Sequence, residues 1–270
     1  MKNRIQTGST EWNNTQRLGE GELTFDETKK ALRVHGQGRL GGLELVGVRV
    51  VTTGPGPQEP MLGDSNTSFY GEVDQSLFFT PNQIASELGL SAGISINQDS
   101  PWLKFNHQGK ILFIAKKPYR YAIAWANLYN CGAVYGDDTT GNNPLGSGTL
   151  QNAIVSFGGQ TYRVRLLTGA DNDPVGMSSN LVSDSGLAEN SEWNRLIVRL
   201  IEGDWSQYSA SELGAGNVNG GSTICQETPS VNLNGTRINR GYNGIRMINS
   251  NDVSQTHSAI GWRPVLELVE

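Results

Sequence analysis

The sequence predicts an α+β protein in which short strands and turns outnumber helices. Its 34 glycines follow no regular repeat and only 17 % of its residues are charged, a composition typical of short strands joined by many turns. Several stretches alternate apolar and polar side chains, as half-buried strands do. Residues 261–270 combine Trp262 with an apolar run and predict a terminal strand that ties the chain end into a central sheet.

Composition also excludes several classes of partner. The net charge is −5 and the basic residues are scattered, which argues against a nucleic-acid-binding surface. The longest apolar run, residues 111–115, is far shorter than a membrane span, and no apolar signal segment follows Lys2 and Arg4. We therefore expect synthesis in the cytoplasm and no membrane insertion. Without a signal peptide, Cys131 and Cys225 more often remain free thiols than pair.

The first 52 residues predict a small β module. Residues 22–25 and 31–35 alternate apolar and polar side chains on either side of the polar connection 26–29, which predicts a hairpin. Residues 43–51 form a third apolar-rich run. Because so small a β unit cannot enclose a core alone, we expect it to oligomerise or to dock on a neighbour.

The next residues predict a domain boundary and a short helix. Residues 53–62 contain three prolines and two glycines and predict a linker. Residues 63–100 are expected to connect this linker to the next domain. Within them, Thr80 is a predicted helix cap, followed by Pro81 at the first helical position and by Gln83 three residues after the cap.

Residues 101–270 predict a larger α+β domain that ends in long loops and the terminal strand. The loops are predicted for the Gly-, Asn- and Ser-rich residues that follow Gly203. The other predicted elements are a hairpin formed by residues 102–105 and 111–115, a short helix over 123–129, a strand over 162–167, and the most regular helix over 193–201, where Trp193, Leu196, Ile197, Leu200 and Ile201 form one apolar stripe.

Two N-terminal segments form a recognisable pattern, Arg17-Leu18-Gly19-Glu20-Gly21-Glu22-Leu23-Thr24-Phe25-Asp26 and Leu32-Arg33-Val34-His35-Gly36, with Gly41-Gly42 after them. They resemble the first module of many tailed-phage fibre and tropism-determinant proteins. This resemblance implies a small β-prism-like module, usually a homotrimer, that attaches to other virion proteins. His35 departs from the pattern, because that family usually has a glycine or another small residue there.

The larger domain contains a set of segments that together point to one family. They are Lys116-Lys117-Pro118, Ala124-Trp125-Ala126-Asn127-Leu128, residues 162–169, Ser191-Glu192-Trp193-Asn194-Arg195-Leu196, Cys225-Gln226-Glu227, Arg240-Gly241 and Gly261-Trp262-Arg263-Pro264-Val265-Leu266. With the order of predicted elements, they resemble the C-type-lectin-like fold of phage tropism determinants and of the formylglycine-generating-enzyme group. This resemblance implies that the two terminal strands pair and that the loops before the last strand form the binding face.

One motif suggests an enzyme. Gly63-Asp64-Ser65-Asn66 resembles the nucleophile block of Gly-Asp-Ser serine esterases. Those enzymes also need a Gly-x-Asn-Asp block for the oxyanion and an Asp-x-x-His pair for the base, and the sequence has neither. The two cysteines do not reproduce the closely spaced pair of the formylglycine-generating enzymes. We therefore predict a turn at residues 63–66 and no enzymatic activity or cofactor.

The sequence does not predict a metal site either. His35, His107 and His257 are far apart along the chain, and the Asx-rich segments 137–138 and 171–173 lack EF-hand spacing. The Glu-Pro-Asn and Trp-Asn-Asp motifs of sugar-binding C-type lectins are absent, so calcium-dependent sugar binding is not transferred from that family.

The clearest candidate for recognition is the asparagine-rich passage between residues 217 and 251. It holds eight asparagines together with tyrosine and arginine, a mixture that offers adaptable hydrogen bonds and planar anchors. The alternative is an inert polar loop region packed on its own sheet. Trp102, Trp125, Trp193, Trp205 and Trp262 are predicted core residues. The receptor-binding candidates are Tyr208, Asn217, Asn219, Asn234, Arg237, Arg240, Tyr242, Asn243 and Arg246.

These observations favour a non-enzymatic phage virion protein, assembled in the host cytoplasm, that displays loops to the host surface as a tail-fibre-type adhesin. Its partners would be other virion proteins, bound through the N-terminal module, and a bacterial surface protein or glycan, bound by several weak sites at once. The alternative hypothesis is a decoration, head-fibre or collar protein that stabilises the particle and contacts no receptor.

Overall fold

The computed structural model describes residues 6–9, 23–26, 31–34, 43–44, 53–146, 148–232 and 235–269. The chain divides into two units, Met1–Thr52 and Thr53–Glu270. In both units strands outnumber helices among the described residues, which confirms the predicted predominance of short strands.

The N-terminal unit contains a four-stranded sheet in the order β1-β2-β3-β4. The predicted hairpin is confirmed, since β2 and β3 pair antiparallel, with Leu23 opposite Val34. His35 and most of the third run lie outside the described residues. The strands are β1 (Gln6–Gly8), β2 (Leu23–Asp26), β3 (Ala31–Val34) and β4 (Leu43–Glu44).

The larger unit is built on a central antiparallel sheet of seven strands in the order β11-β12-β18-β9-β8-β6-β5. Its terminal strand β18 lies between β12 and β9, as predicted for the chain end. The strands are β5 (Leu62–Gly63), β6 (Thr67–Val73), β8 (Trp102–His107), β9 (Lys110–Ala115), β11 (Ile154–Phe157), β12 (Gln160–Arg165) and β18 (Val265–Val269).

Both faces of the central sheet are buried at its inner strands β8 and β9. On one face Trp102 and Phe113 belong to an apolar cluster that includes Trp125, and on the other Phe105 and Leu112 pack with Trp193. A strand covered on both faces carries apolar side chains at nearly every position, which explains the continuous apolar run of β9. All five tryptophans predicted for the core are buried.

Two predicted helices are confirmed, α1 (Pro81–Glu87) and α2 (Trp125–Asn130). The capping box of α1 is formed: the Gln83 amide donates to Thr80 Oγ1 at 3.2 Å, and the Thr80 amide donates to Gln83 Oε1 at 2.8 Å. Within the described ranges, no helix has the length and apolar character needed to cross a membrane.

The prediction of a regular helix over residues 193–201 is wrong in its form. The segment is a π-helical turn, Trp193–Ile197, followed by a 3₁₀ turn, Val198–Leu200. The Val198 amide donates to the carbonyls of both Trp193 and Asn194, which widens the first turn. The apolar stripe is nevertheless buried against the central sheet.

A second seven-stranded sheet has the order β13-β16-β15-β14-β17-β10-β7. Only β14 and β17 pair in parallel within it. It corrects the expectation of long loops after Gly203, because that passage supplies β14, β15 and β16. The strands are β7 (Ile94–Ser95), β10 (Arg120–Tyr121), β13 (Leu181–Ser183), β14 (Ser222–Ile224), β15 (Thr236–Arg240), β16 (Met247–Asp252) and β17 (Ile260–Trp262).

The segments predicted as a linker and a connecting region belong to the larger unit. Strand β6 pairs with β8 in the central sheet, and the buried Lys104 ammonium binds residues 53–57. It donates to Thr53 Oγ1 at 2.9 Å and to the Pro55 carbonyl at 3.1 Å. The first and last strands of the domain predicted for residues 101–270 do not pair as expected, since β9 lies between its first strand, β8, and β18.

Arg263 lies where the chain passes from the second sheet into the central sheet, between β17 and β18. It is fully buried, and it donates to the carbonyls of Ala115 (2.8 Å), Lys116 and Leu213. Burial lowers the pKa of its guanidinium to about 9. Arg263 thus supplies donors to three carbonyl groups at two places in the chain, the end of β9 and the loop that contains Leu213.

Replacing Arg263 with methionine should destabilise the larger unit by at least about 3 kcal/mol, because each buried carbonyl left without a donor costs ~1–3 kcal/mol. Urea unfolding followed by tryptophan fluorescence measures this. The matched control is Arg195→Met at an exposed arginine, where we expect a change within about 0.5 kcal/mol. Equal losses in the two variants would contradict the role given to Arg263.

Candidate functional site

The most promising site is a groove over the second sheet, which we call the amide groove. Its volume is about 250 Å³, and no residue that lines it is Asp, Glu, Lys or Arg. Strand β16 and the segments that follow β15 and β16 supply most of its polar side chains. These polar residues are Ser222, Tyr242, Asn243, Asn249, Ser250, Asn251, Gln255 and His257.

Hydrogen bonds between amides fix the side chains of this groove. Asn243 Nδ2 donates to Asn249 Oδ1 at 3.0 Å. Asn251 accepts a bond from Asn239 Nδ2 at 2.7 Å and donates to Gln255 Oε1 at 3.0 Å. Since each bond restricts the rotamers of two side chains, the amides are oriented before any ligand arrives.

Tyr242 and His257 are also held in place. The Tyr242 hydroxyl donates to Asn217 Oδ1 at 2.8 Å. His257 Nδ1 accepts the Ala259 amide at 3.1 Å, so in the neutral ring Nε2 carries the proton and acts as the donor. The groove therefore combines an aromatic ring with fixed donors and acceptors.

The structure brings three of the predicted site residues together, namely Tyr242, Asn243 and Asn217. Asn219 is exposed on the same segment as Asn217, and Asn234 lies outside the described residues. Tyr208 is elsewhere, where its hydroxyl donates to Glu72 Oε1 at 2.9 Å.

Arg246 is also outside the amide groove. It is about half exposed, its Nε lies 2.8 Å from Glu202 Oε2, and it lines a different cavity together with Arg195.

The prediction that Arg237 and Arg240 reach the surface is wrong. Arg237 is 1 % exposed, and its guanidinium lies 4.3 Å from the ring centroid of Trp125. Arg240 has no exposed surface, and it donates to Asp184 Oδ2 at 2.7 Å and to Asn194 Oδ1 at 2.9 Å. Both belong to β15, which is buried on both faces. The sequence did not predict this burial, because the passage was interpreted as loops.

Arg240 belongs to a buried polar network around Gly169. Its Nη1 donates to the Gly169 carbonyl, and the Gly169 amide lies 3.0 and 3.1 Å from the carboxyl oxygens of Glu227. Burial raises the pKa of Glu227 to about 8, with a further contribution from Asp173. Glu227 is thus a structural residue that favours its protonated form.

Sequence analysis missed several groove residues, among them Asn249, Asn251, Gln255 and His257. A signal was present: in Ile248-Asn249-Ser250-Asn251, only one position carries an apolar side chain, Ile248, which is buried. Because asparagine is rare in strands, the composition of this segment did not predict a strand.

A larger polar cavity of about 390 Å³ lies beside the turn at residues 63–66. Asp64 Oδ1 accepts the amides of Asn66 (2.8 Å) and Thr67 (2.9 Å), which confirms the turn and holds the pKa of that carboxyl below its ordinary value. His107, which lines the cavity, has Thr67 Oγ1 as its partner at 3.1 Å. The hydrogen-bond partner of the histidine is therefore Thr67 and not Ser65.

The predicted free thiols are confirmed, since neither Cys131 nor Cys225 is in a disulfide. Burial raises the pKa of both thiols, which disfavours the reactive thiolate. In the part of the chain that the structure describes, no group of three or more His, Cys, Asp and Glu side chains is arranged to hold a metal ion.

No protein-family model, no curated protein and no solved structure matches this chain. Function is therefore inferred from the chemistry of the amide groove and from the sequence motifs.

Glu227→Gln should change how stability depends on pH. The folded-state pKa of Glu227, about 8, lies above its ordinary value, so the native wild type binds more protons than the unfolded chain. The free energy of unfolding of the wild type therefore falls as pH rises from about 4.5 to about 8, by up to ~1.4 kcal/mol per pH unit. Glutamine cannot ionise and lacks this loss. Urea unfolding across this pH range should show the free energy of unfolding of the variant rising relative to that of the wild type. Parallel plots of unfolding free energy against pH would contradict the raised pKa of Glu227.

Proposed function

We propose that this chain is a non-enzymatic virion protein of a tailed phage, and that the amide groove contacts the host surface. The observation that carries the proposal is a solvent-open groove whose polar side chains are oriented by one another and include no charged group. Such a surface suits reversible recognition, because it offers many hydrogen bonds and an aromatic ring but no arranged nucleophile and base.

The N-terminal module would attach the chain to other virion proteins, as its resemblance to phage fibre modules implies, and would present several copies as a trimer. Several weak sites acting together would then give firm adhesion. A C-type-lectin-like assignment of the larger unit remains part of this proposal. Strand β18 within the central sheet supports it, whereas the separation of β8 from β18 by β9 departs from it.

Purified protein should compete with phage for adsorption to host cells. Tyr242→Ala and Asn243→Ala should each reduce this competition at least about tenfold, which corresponds to ~1.4 kcal/mol of lost binding, while the melting temperature stays unchanged. Asn172→Ala is the matched control, because Asn172 is exposed and lies outside the groove. Full competition by the two groove variants would contradict the assignment of the groove.

Gold-labelled antibody and electron microscopy of intact particles test the virion location. Label at tail or fibre tips supports the adhesin. Label over the head or neck, combined with capsids that lose heat resistance without this protein and adsorb normally, favours the alternative of a decoration protein. No label on any particle would overturn the virion assignment.

A further inference from the structure

We infer that the amide groove binds a neutral glycan, and that Asn249 Nδ2 donates a hydrogen bond to it. The inference rests on the proposed function, since it names the class of host-surface molecule that the groove recognises. Four features carry it: the absence of charge in the lining, the arrangement of donors and acceptors, the state of Asn249, and the size of the groove.

Charge distinguishes the amide groove from the two other cavities described above. The cavity beside residues 63–66 is lined by Asp64, Arg195 and Arg199, and the cavity beside Arg246 is lined by arginines and glutamates. The amide groove offers no cation to a carboxylate, sulfate or phosphate and no carboxylate to an amine. Burying an unpaired charge is unfavourable, so the groove selects a ligand without one.

The lining matches the hydrogen bonding of sugars. Each side-chain amide has one end that donates hydrogen bonds and one that accepts them, and each hydroxyl can donate or accept. The groove therefore complements ligand groups that both donate and accept hydrogen bonds, as sugar hydroxyls do. The Tyr242 ring offers an apolar face for the C–H groups of a pyranose. Asn217 fixes the Tyr242 hydroxyl, and Asn243 fixes the Asn249 oxygen.

Asn249 has one donor group without a partner. Its Oδ1 accepts from Asn243, but its Nδ2 is buried and has no hydrogen-bond partner among the described residues. A buried donor that remains unpaired costs ~1–3 kcal/mol, and most such donors in native proteins are satisfied. Because Asn249 lines the groove, a small movement of the neighbouring side chains that opens Nδ2 to the groove would let a ligand oxygen, such as a hydroxyl or an acetamido carbonyl, satisfy it.

The size of the groove sets how much of the ligand it can hold. Its volume of about 250 Å³ is below the ~300–1,000 Å³ typical of pockets for drug-sized molecules. A single sugar ring is the natural occupant, and the rest of a glycan chain would lie in solvent outside the groove. A protein receptor would instead need a surface of roughly 800 Å² on each partner.

The test uses the full-length protein on an array of neutral hexose and N-acetylhexosamine oligomers, printed beside uronate-containing and sulfated oligomers of equal length. We expect binding to one or more neutral oligomers. Asn249→Asp keeps the oxygen that accepts from Asn243 and replaces the Nδ2 donor with a negatively charged acceptor, so it should weaken that binding at least about tenfold. The matched control, Asn172→Asp, adds the same charge outside the groove and should bind like the wild type.

Three results would overturn the inference: binding only to acidic oligomers, binding to no oligomer, or equal binding to neutral oligomers by the wild type and by a correctly folded Asn249→Asp variant. Failure of the proposed function gives a different result. A protein that blocks phage adsorption but binds no neutral oligomer is an adhesin with another ligand, such as a host protein, and protease treatment of the cells would then abolish adsorption. If the protein binds neutral oligomers but does not block phage adsorption, the assignment of the glycan site holds and the proposed role in attachment fails.

Discussion

The larger unit depends on the passage of the chain from β17 to β18, where the second sheet is joined to the central sheet. Strand β17 pairs with β14 and β10, whereas β18 pairs with β12 and β9. Only Arg263 and Pro264 separate the two strands. The buried guanidinium of Arg263 holds this crossing by donating to the Ala115 carbonyl at the end of β9 and to the Leu213 carbonyl in a loop. Because β16 is linked to β17 through β15 and β14, the crossing also positions the floor of the amide groove.

Buried cations have a general role in this unit. A chain with many glycine-containing loops has many backbone carbonyls outside regular ladders, and each buried carbonyl needs a donor. Lys104 supplies donors to residues 53–57, Arg240 to Gly169, and Arg237 to the Asn142 carbonyl. This explains how a sequence with only 36 % hydrophobic residues encloses three apolar clusters. The cations complete the polar layer that surrounds the apolar cores.

The elements that sequence analysis predicted well are those in which one local signal decides the structure. The hairpin of β8 and β9 and the cap of α1 at Thr80 have strong signals of this kind, since apolar runs, a turn and a capping box leave few alternatives. Strands β15 and β16 were missed because their burial comes from long-range pairing. Asparagine and arginine in these strands are stabilised by partners such as Asp184 and Asn142, which are distant in sequence.

The candidate site shows the same limit. Tyr242 and Asn243 were predictable from residue type, because they lie in a polar connection between strands. Arg240 and Arg237 have the same composition signal, yet the strand they belong to is covered on both faces. Residue type alone does not show which side of a sheet meets solvent. Asn249 and Asn251 could be assigned to the groove only from the register of β15 and β16.

The uncharged lining of the amide groove also determines how fast a ligand can be captured. Since no Asp, Glu, Lys or Arg in the lining steers a ligand, encounters depend on diffusion. Among protein complexes, neutral partners associate at ~10⁵–10⁶ M⁻¹s⁻¹ and steered partners at up to ~10⁸–10⁹ M⁻¹s⁻¹. Such encounters change little with ionic strength. Capture by this groove would therefore be slow but equally effective in dilute and in saline surroundings, and the lifetime of the bound state would decide whether attachment lasts.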